Sequence, residues 1–231
     1  ALSLGIDRWG GAQALQKIAL VRHVGGLLRP GYEFATPEAE LVKLPGFAKD
    51  INASRAEAKK LLTDAGQANL TFTLTNRNVA MPYTPVGVFL IDQWRQLGVT
   101  VKHEQLETKL YLAAQQKDNA TFDAALDFNC DYMDEPNLQL QKFLSHDKSA
   151  INYAGQTDRV LDELYDKQSG ELDKKKRGAI LREFEKRALE QSYTIPTIWW
   201  HRIIVLNQKL KGWHITPSHY VGQDLADVWL Q

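Results

Sequence analysis

Six consecutive residues, Asn129-Cys130-Asp131-Tyr132-Met133-Asp134, set an amide, a thiol, a phenol and two carboxylates side by side before Glu135 and Pro136 end the run. Two kinds of chemistry are open to such a cluster. Cys130 next to Asp131 suggests a nucleophile, as in a Cys- or Asp-dependent hydrolase, and a catalytic thiol needs a histidine base and a third group to orient that base. The histidines are His23, His103, His146, His201, His214 and His219, and no spacing selects one of them as the partner. A free cysteine is also among the most buried residue types, so packing or pocket lining is the expected role of Cys130. The other chemistry is binding without turnover, with the polar groups as the floor of a site. A metal is not expected: His214 and His219 straddle Pro217, and no cysteine or carboxylate completes a usual ligand set.

The segment before the cluster is what positions it. Phe122, Ala124, Leu126 and Phe128 alternate with Asp123, Ala125 and Asp127, the period-2 pattern of a strand. In open α/β sheets, ligands sit in the crevice beyond the carboxyl ends of strands, which is where Asn129 to Asp134 would lie. Two further strands precede it. Leu70, Phe72 and Leu74 alternate with threonines, and Val99 and Val101 begin another run. Between them Val86, Leu90, Trp94 and Leu97 share one helical face that Gly98 stops, and a shorter helix over 111–116 leads to the third strand. The order β-α-β-α-β, with crossovers long enough for parallel pairing, predicts a mostly parallel sheet covered by helices on both faces.

Around this unit the signals vary in sharpness. A short apolar helix opens the chain, Gly10 and Gly11 predict a break, and Ala12 to Val21 resumes. Residues 25–52 hold Pro30, Pro37 and Pro45 without a sustained period, and read as an irregular connection with a turn of helix near Pro37. Ser54 and Glu57 have capping-box spacing ahead of Ala58, Leu61 and Leu62, with Gly66 as the stop. Helices are predicted over 158–168 and 174–191, and strands over 195–201 and 203–206. Trp199 and Trp200, adjacent on a strand, would face opposite ways. The run Lys174 to Arg177 reads as a solvated first helical turn.

Lys plus Arg and Asp plus Glu both number 28, so the formal charge is zero. That removes the basic excess of a nucleic-acid binder and of a polybasic membrane anchor. No apolar run approaches the roughly 20 residues a spanning helix needs. The 231 residues suffice for one substantial core, in one or two domains, and the single cysteine excludes an internal disulfide. Neither a signal peptide nor an initiating Met is present.

Blocks along the whole chain resemble the extracellular solute-binding proteins of peptide-type ABC transporters (family 5). They are ALSLGIDR (Ala1 to Arg8), EAKKLLTDAG (Glu57 to Gly66), DQWRQLGVTV (Asp92 to Val101), the strand and acidic loop from Phe122 to Pro136, TDRVLDELYD (Thr157 to Asp166) and YTIPTI (Tyr193 to Ile198), in the family's order. The resemblance is to the C-terminal portion of that family. It implies a fragment, residues 1–231 forming the C-terminal lobe of a two-lobe periplasmic-binding-protein-like fold, with 211–231 and its Trp213 and Trp229 available to pack on an N-terminal lobe. It further implies an exported, periplasmic receptor without catalysis or cofactor. Its partners would be a small solute, an oligopeptide or alternatively an opine, a sugar or a nickel chelate, and a membrane ABC permease.

The resemblance also assigns roles. Asp131 would pair with the ligand's α-ammonium group, a charge-assisted bond made strong by a water-poor cleft. It lies five residues before Pro136 where the family has four, so Asp134 is the alternative anchor; both have a loop-capping reading beside the functional one. Asn129, Cys130 and Tyr132 would line the same floor. MPYTP (Met81 to Pro85) resembles the family's RPYNP, which puts Tyr83 near the rim. Met81 replaces the arginine that holds a ligand carboxylate, and Arg77, four residues upstream, is the candidate substitute; its plain reading is a solvated strand end. A docking module meeting its transporter through exposed tryptophans is the structural alternative.

Overall fold

A computed structural model describes residues 1–17, 21–116, 118, 120–129, 133–201, 204–216 and 224–231. Helix α1 (Arg8–Leu15) starts at Asp7, whose carboxylate accepts from the Gly10 amide at 2.8 Å. The glycine break expected at Gly10 and Gly11 is absent, because both lie inside α1. At Gly11 the reason is packing: a Cβ there would collide with the Phe89 ring. The helix expected to run to Val21 stops at Leu15, and Val21 opens β1 (Val21–His23). The proline-containing stretch that follows is irregular apart from α2 (Glu38–Leu41), which begins after Pro37. Helix α3 (Ile51–Asp64) starts earlier than the Ser54 box indicates. Asp50 is its cap, accepting from the Asn52 and Ala53 amides at 3.0 Å each, while Ser54 sits inside and donates to the Asp50 carbonyl.

The central unit then follows: β2 (Thr71–Arg77), α4 (Tyr83–Arg95), β3 (Thr100–Leu106), α5 (Thr108–Ala114) and β4 (Ala124–Ala125). The three strands are parallel in the order β3-β2-β4, with Leu74 opposite both His103 and Ala124. The first crossover steps from β2 to one side and the second returns past β2 to the other. Right-handed connections therefore set α4 and α5 on opposite faces, the covering expected from the sequence. The third strand is much shorter than the predicted 122–128. At its start the Asp123 carboxylate, not a backbone carbonyl, accepts from the Thr73 amide at 2.8 Å, so the ladder cannot extend in that direction.

Helix α6 (Pro136–Gln139) and a 3-10 turn, Gln141–Phe143, lead through an irregular loop to α7 (Arg159–Gly170) and α8 (Lys174–Gln191), capped by Asp158 and Asp173. Of the late strands expected, only β5 (Trp199–Trp200) forms, antiparallel to β1. Residues 204–206 are not in a strand, and 202–203 lie outside the described residues. A last antiparallel pair joins β6 (Leu210–Lys211) to β7 (Trp229–Leu230). Among the described residues, no helix is long and apolar enough to cross a membrane.

Two hydrophobic cores result. One joins Ala58 and Leu62 of α3, Leu74 of β2, and Val86, Leu90 and Trp94 of α4 to Leu126 beyond β4. The other packs α7 and α8 on the irregular stretch, with Leu161, Phe184, Leu41 and Phe47 each no more than 1 % exposed. Burying one such side chain fully is worth about 1.5–3 kcal/mol. Arg8, 1 % exposed, laces the N-terminal region to both. Its guanidinium donates to the carbonyls of Ser3, Gly46 and Pro196 and to Ser3 Oγ, and burial pushes its pKa down to about 9.

Candidate functional site

In the strand order β3-β2-β4 the chain steps from β2 to β3 on one side and then crosses from β3 to β4 on the other, and the crevice at such a switch point lies beyond the carboxyl ends of β2 and β4. A cleft of about 390 Å³ occupies this place. Arg77 ends β2, and Asp127, Phe128 and Asn129 follow β4. Tyr83 and Val86 come from the first turn of α4, and Gly26, Leu27, Phe143 and residues 196–200 close the other side. Val86 and Leu126 belong to the sheet core, whereas Leu27 and Phe143 belong to the helical core, so the cleft runs along the seam between them.

Arg77 is not the solvated strand end of the plain reading, for its side chain is only 15 % exposed. Its guanidinium carbon sits 5.0 Å from the Tyr83 ring centroid, 4.9 Å from Tyr111 and 5.1 Å from Phe128. Such cation–π contacts contribute about 0.5–2 kcal/mol each, more where water is excluded. The carboxylate nearest to it, Asp127, is 4.0 Å away, beyond hydrogen-bond length. Asp127 is already engaged by Lys142, whose ammonium donates to Asp127 Oδ2 and to the Phe128 carbonyl. Arg77 Nε is buried with no hydrogen-bond partner, a state that costs about 1–3 kcal/mol if nothing satisfies it.

The cage is held from behind. Tyr111, fully buried, donates through its hydroxyl to the Leu126 carbonyl at 2.6 Å and accepts from Gln115 at 2.8 Å. Burial, and then the Asp127 charge, push its phenol far above the ordinary range. Asn76, buried before Arg77, accepts from the Arg77 amide at 2.8 Å and donates to the Tyr83 carbonyl at 2.8 Å. The same Asn76 amide lies 3.1 Å from His103 Nε2. Loss of solvation lowers the pKa of His103.

The residues expected from the sequence have different outcomes. Tyr83, Arg77 and Asn129 come together in the cleft wall. The Asn129 side-chain amide is used structurally, donating to the Gln139 carbonyl at 2.9 Å. Asp134 is engaged elsewhere: Arg29 Nε donates to its two oxygens at 2.8 and 2.9 Å. Cys130, Asp131 and Tyr132 lie outside the described residues. Trp199 and Trp200 both line the cleft; Trp199 Nε1 donates to the Gly26 carbonyl at 3.1 Å, while Trp200 is about half-exposed. Sequence reasoning missed Asp127, Phe128, Tyr111 and Lys142. The alternation that marked the third strand held Asp127 and Phe128 at its carboxyl end, whereas nothing local marks Tyr111 or Lys142.

No family model matches the chain, and no curated protein matches it by sequence. Solved structures do. The ABC transporter substrate-binding protein CtaP of Listeria monocytogenes matches with a TM-score of 0.75 at 19 % identity, over 99 % of this chain and 46 % of that one. A dipeptide-binding protein of a Pseudoalteromonas species, solved with Met-Leu, gives 0.76 at 19 %, over 100 % of this chain and 44 % of that one. The periplasmic binding protein DppA of Helicobacter pylori, solved with the peptide STSA, gives 0.75 at 16 %, over 99 % and 43 %. The chain thus spans less than half the length of the structures it matches. Its fold is that of one lobe of such binding proteins, the fold the resemblance implied.

Proposed function

We propose that this lobe is one jaw of an extracytoplasmic receptor that delivers a peptide-type solute to an ABC importer. In this reading residues 1–231 form the C-terminal jaw and an N-terminal lobe supplies the opposing one. The observation that carries it is the cleft at the switch point beyond β2 and β4, open on one side and walled by Arg77, Tyr83 and Phe128. The binding proteins it resembles in fold include ones solved with Met-Leu and with STSA, which supports a peptide as the solute. Exposed Ile215, Leu225, Trp229 and Leu230 support a tail that packs on the other lobe.

No bond changes in such a device. The jaws close by hinge motion, and the closed form is what the permease reads. Asp131 takes the α-ammonium group, while Asp134 stays with Arg29. A closed cleft of this kind binds at micromolar or tighter, about −8 kcal/mol. One jaw holds about half the contacts, so alone it binds at millimolar or weaker.

The test is native mass spectrometry of the protein expressed from its complete gene and purified without denaturation, beside Asp131→Asn. A bound mass lost in the variant supports both receptor and anchor, and its composition separates a peptide from an opine, a sugar or a nickel chelate. A mass kept by the variant removes the role of Asp131 alone. No bound mass, even after incubation with a peptide library, removes peptide transport as the function.

A further inference from the structure

We infer that Asn76 is the positioning residue of the cleft wall, and that His103 holds it in place as a neutral hydrogen-bond acceptor, so that solute is held near neutral pH and released in acid. This deepens the receptor reading and rests on it. The first support is the use made of the Asn76 amide, which is fully buried. Its Oδ1 accepts from the Arg77 amide at 2.8 Å, and its Nδ2 donates to the Tyr83 carbonyl at 2.8 Å. A backbone N–H at one end and a carbonyl at the other fix which end is oxygen. The remaining N–H meets His103 Nε2 at 3.1 Å, and that nitrogen must therefore accept. His103 is thus neutral, with its proton on Nδ1. Arg77 and Tyr83 both line the cleft, so one buried amide sets the end of β2 against the first turn of α4.

The second support is a notch shaped for this contact. A Cβ on Gly87, one turn into α4, would stand 2.5 Å from Asn76 Nδ2 and 2.7 Å from His103 Nε2, so glycine is what lets the helix come this close. Protonation of His103 Nε2 sets N–H against N–H and strands the Asn76 donor inside the fold. The ionisable side chains around it do not offset this. Lys102 and Glu104 flank His103 on β3, and Arg77 follows Asn76 on β2, so all three alternate to the opposite face. On α4, Asp92 and Arg95 pair with each other, and the Tyr83 ring packs on Arg77. Loss of solvation lowers the pKa of His103, which favours the neutral acceptor.

The experiment takes two readouts from the intact protein. The imidazole nitrogen NMR spectrum, recorded without solute at about pH 7.5, is expected to show the Nδ1–H tautomer of His103, shifting toward Nε2–H in Asn76→Ala. An Nε2–H tautomer in the unaltered protein overturns the inference, and this reading does not depend on any variant folding. The second readout is native mass spectrometry of retained peptide, offered as a pool of random tetrapeptides lacking His, Asp and Glu so that no solute side chain titrates between about pH 5 and 7.5. Apparent affinity is expected to fall by at least about threefold across that range. It falls by no more than about thirtyfold, the cap set by a pKa no higher than about 6.5. In His103→Gln, whose side-chain oxygen still accepts but does not titrate, the fall is under about twofold. An equal fall in both proteins, or none in either, overturns acid release and leaves the receptor standing. Peptide retained at no pH removes the receptor reading itself, and the binding role of Asn76 with it.

Discussion

Arg29 and Asp134, 105 residues apart in the chain, meet as a forked ion pair, with Arg29 Nε bridging both carboxylate oxygens and Nη2 reaching Oδ2 at 2.5 Å. The pair ties the loop after 130–132 to the irregular stretch that walls the cleft. It sits near the surface, with side chains 36 % and 18 % exposed, so solvent screening limits its worth. Asp134→Asn is expected to lower unfolding free energy by about 1 kcal/mol in urea titrations, with less effect at high salt. It should leave solute affinity within about threefold if Asp131 is the anchor, since about 0.65 kcal/mol corresponds to that factor. A loss as large as that of Asp131→Asn would return Asp134 to the ligand.

Glu185 of α8 is 4 % exposed and holds the opposite wall. Its carboxylate accepts from the Leu27 amide at 2.7 Å and from the Thr36 hydroxyl. Arg182, one turn earlier, donates to the carbonyls of Phe34 and Ala35. Glu185→Ala strands the Leu27 amide beneath the cleft and is expected to cost about 2–3 kcal/mol, read as a lower denaturation midpoint at unchanged slope. Arg182→Ala should be milder, because its own side chain is 32 % exposed, so water can replace part of what it donates. Equal costs for the two would show that the glutamate is not the anchor.

His103 predicts a pH dependence. Burial lowers its folded-state pKa below the unfolded value, so between those two values the unfolded chain binds more protons. Stability then rises with pH through that window, and falls as pH drops below about 6.5. Protonation at Nε2 would also turn an acceptor for the Asn76 amide into a donor, loosening the contact that fixes the Tyr83 carbonyl. Melting temperatures should decline from pH 7 toward about pH 5, and decline less in His103→Gln. Parallel curves for the two proteins would remove His103 from that role.

Periodic patterns were readable where local chemistry decides the structure. Leu74 on β2 and Val86, Leu90 and Trp94 on α4 face the core as their spacing required. Where a distant side chain decides, the pattern misled. Asp123 replaces a ladder acceptor and shortens β4, and Phe89 lets Gly11 continue a helix that glycine pairs usually end. Tyr83, Arg77 and Asn129, singled out in the sequence, line the cleft. Lys142 was not singled out, because its meaning comes from Asp127 across a fold that only the tertiary structure creates. The same holds for Asp134, whose partner Arg29 carries no local mark.

The position of the cleft along the seam has a consequence for how such a protein diversifies. Close-packed interiors resist change, and each large-to-small substitution inside one costs about 2–5 kcal/mol. Leu27 and Phe143 reach the seam from one core, Val86 and Leu126 from the other, and the polar loop residues between them belong to neither. Substitution of the loop residues can therefore reshape the cleft while both cores keep their packing. The positions that set the cleft's polar lining and those that keep the chain folded are largely separate sets.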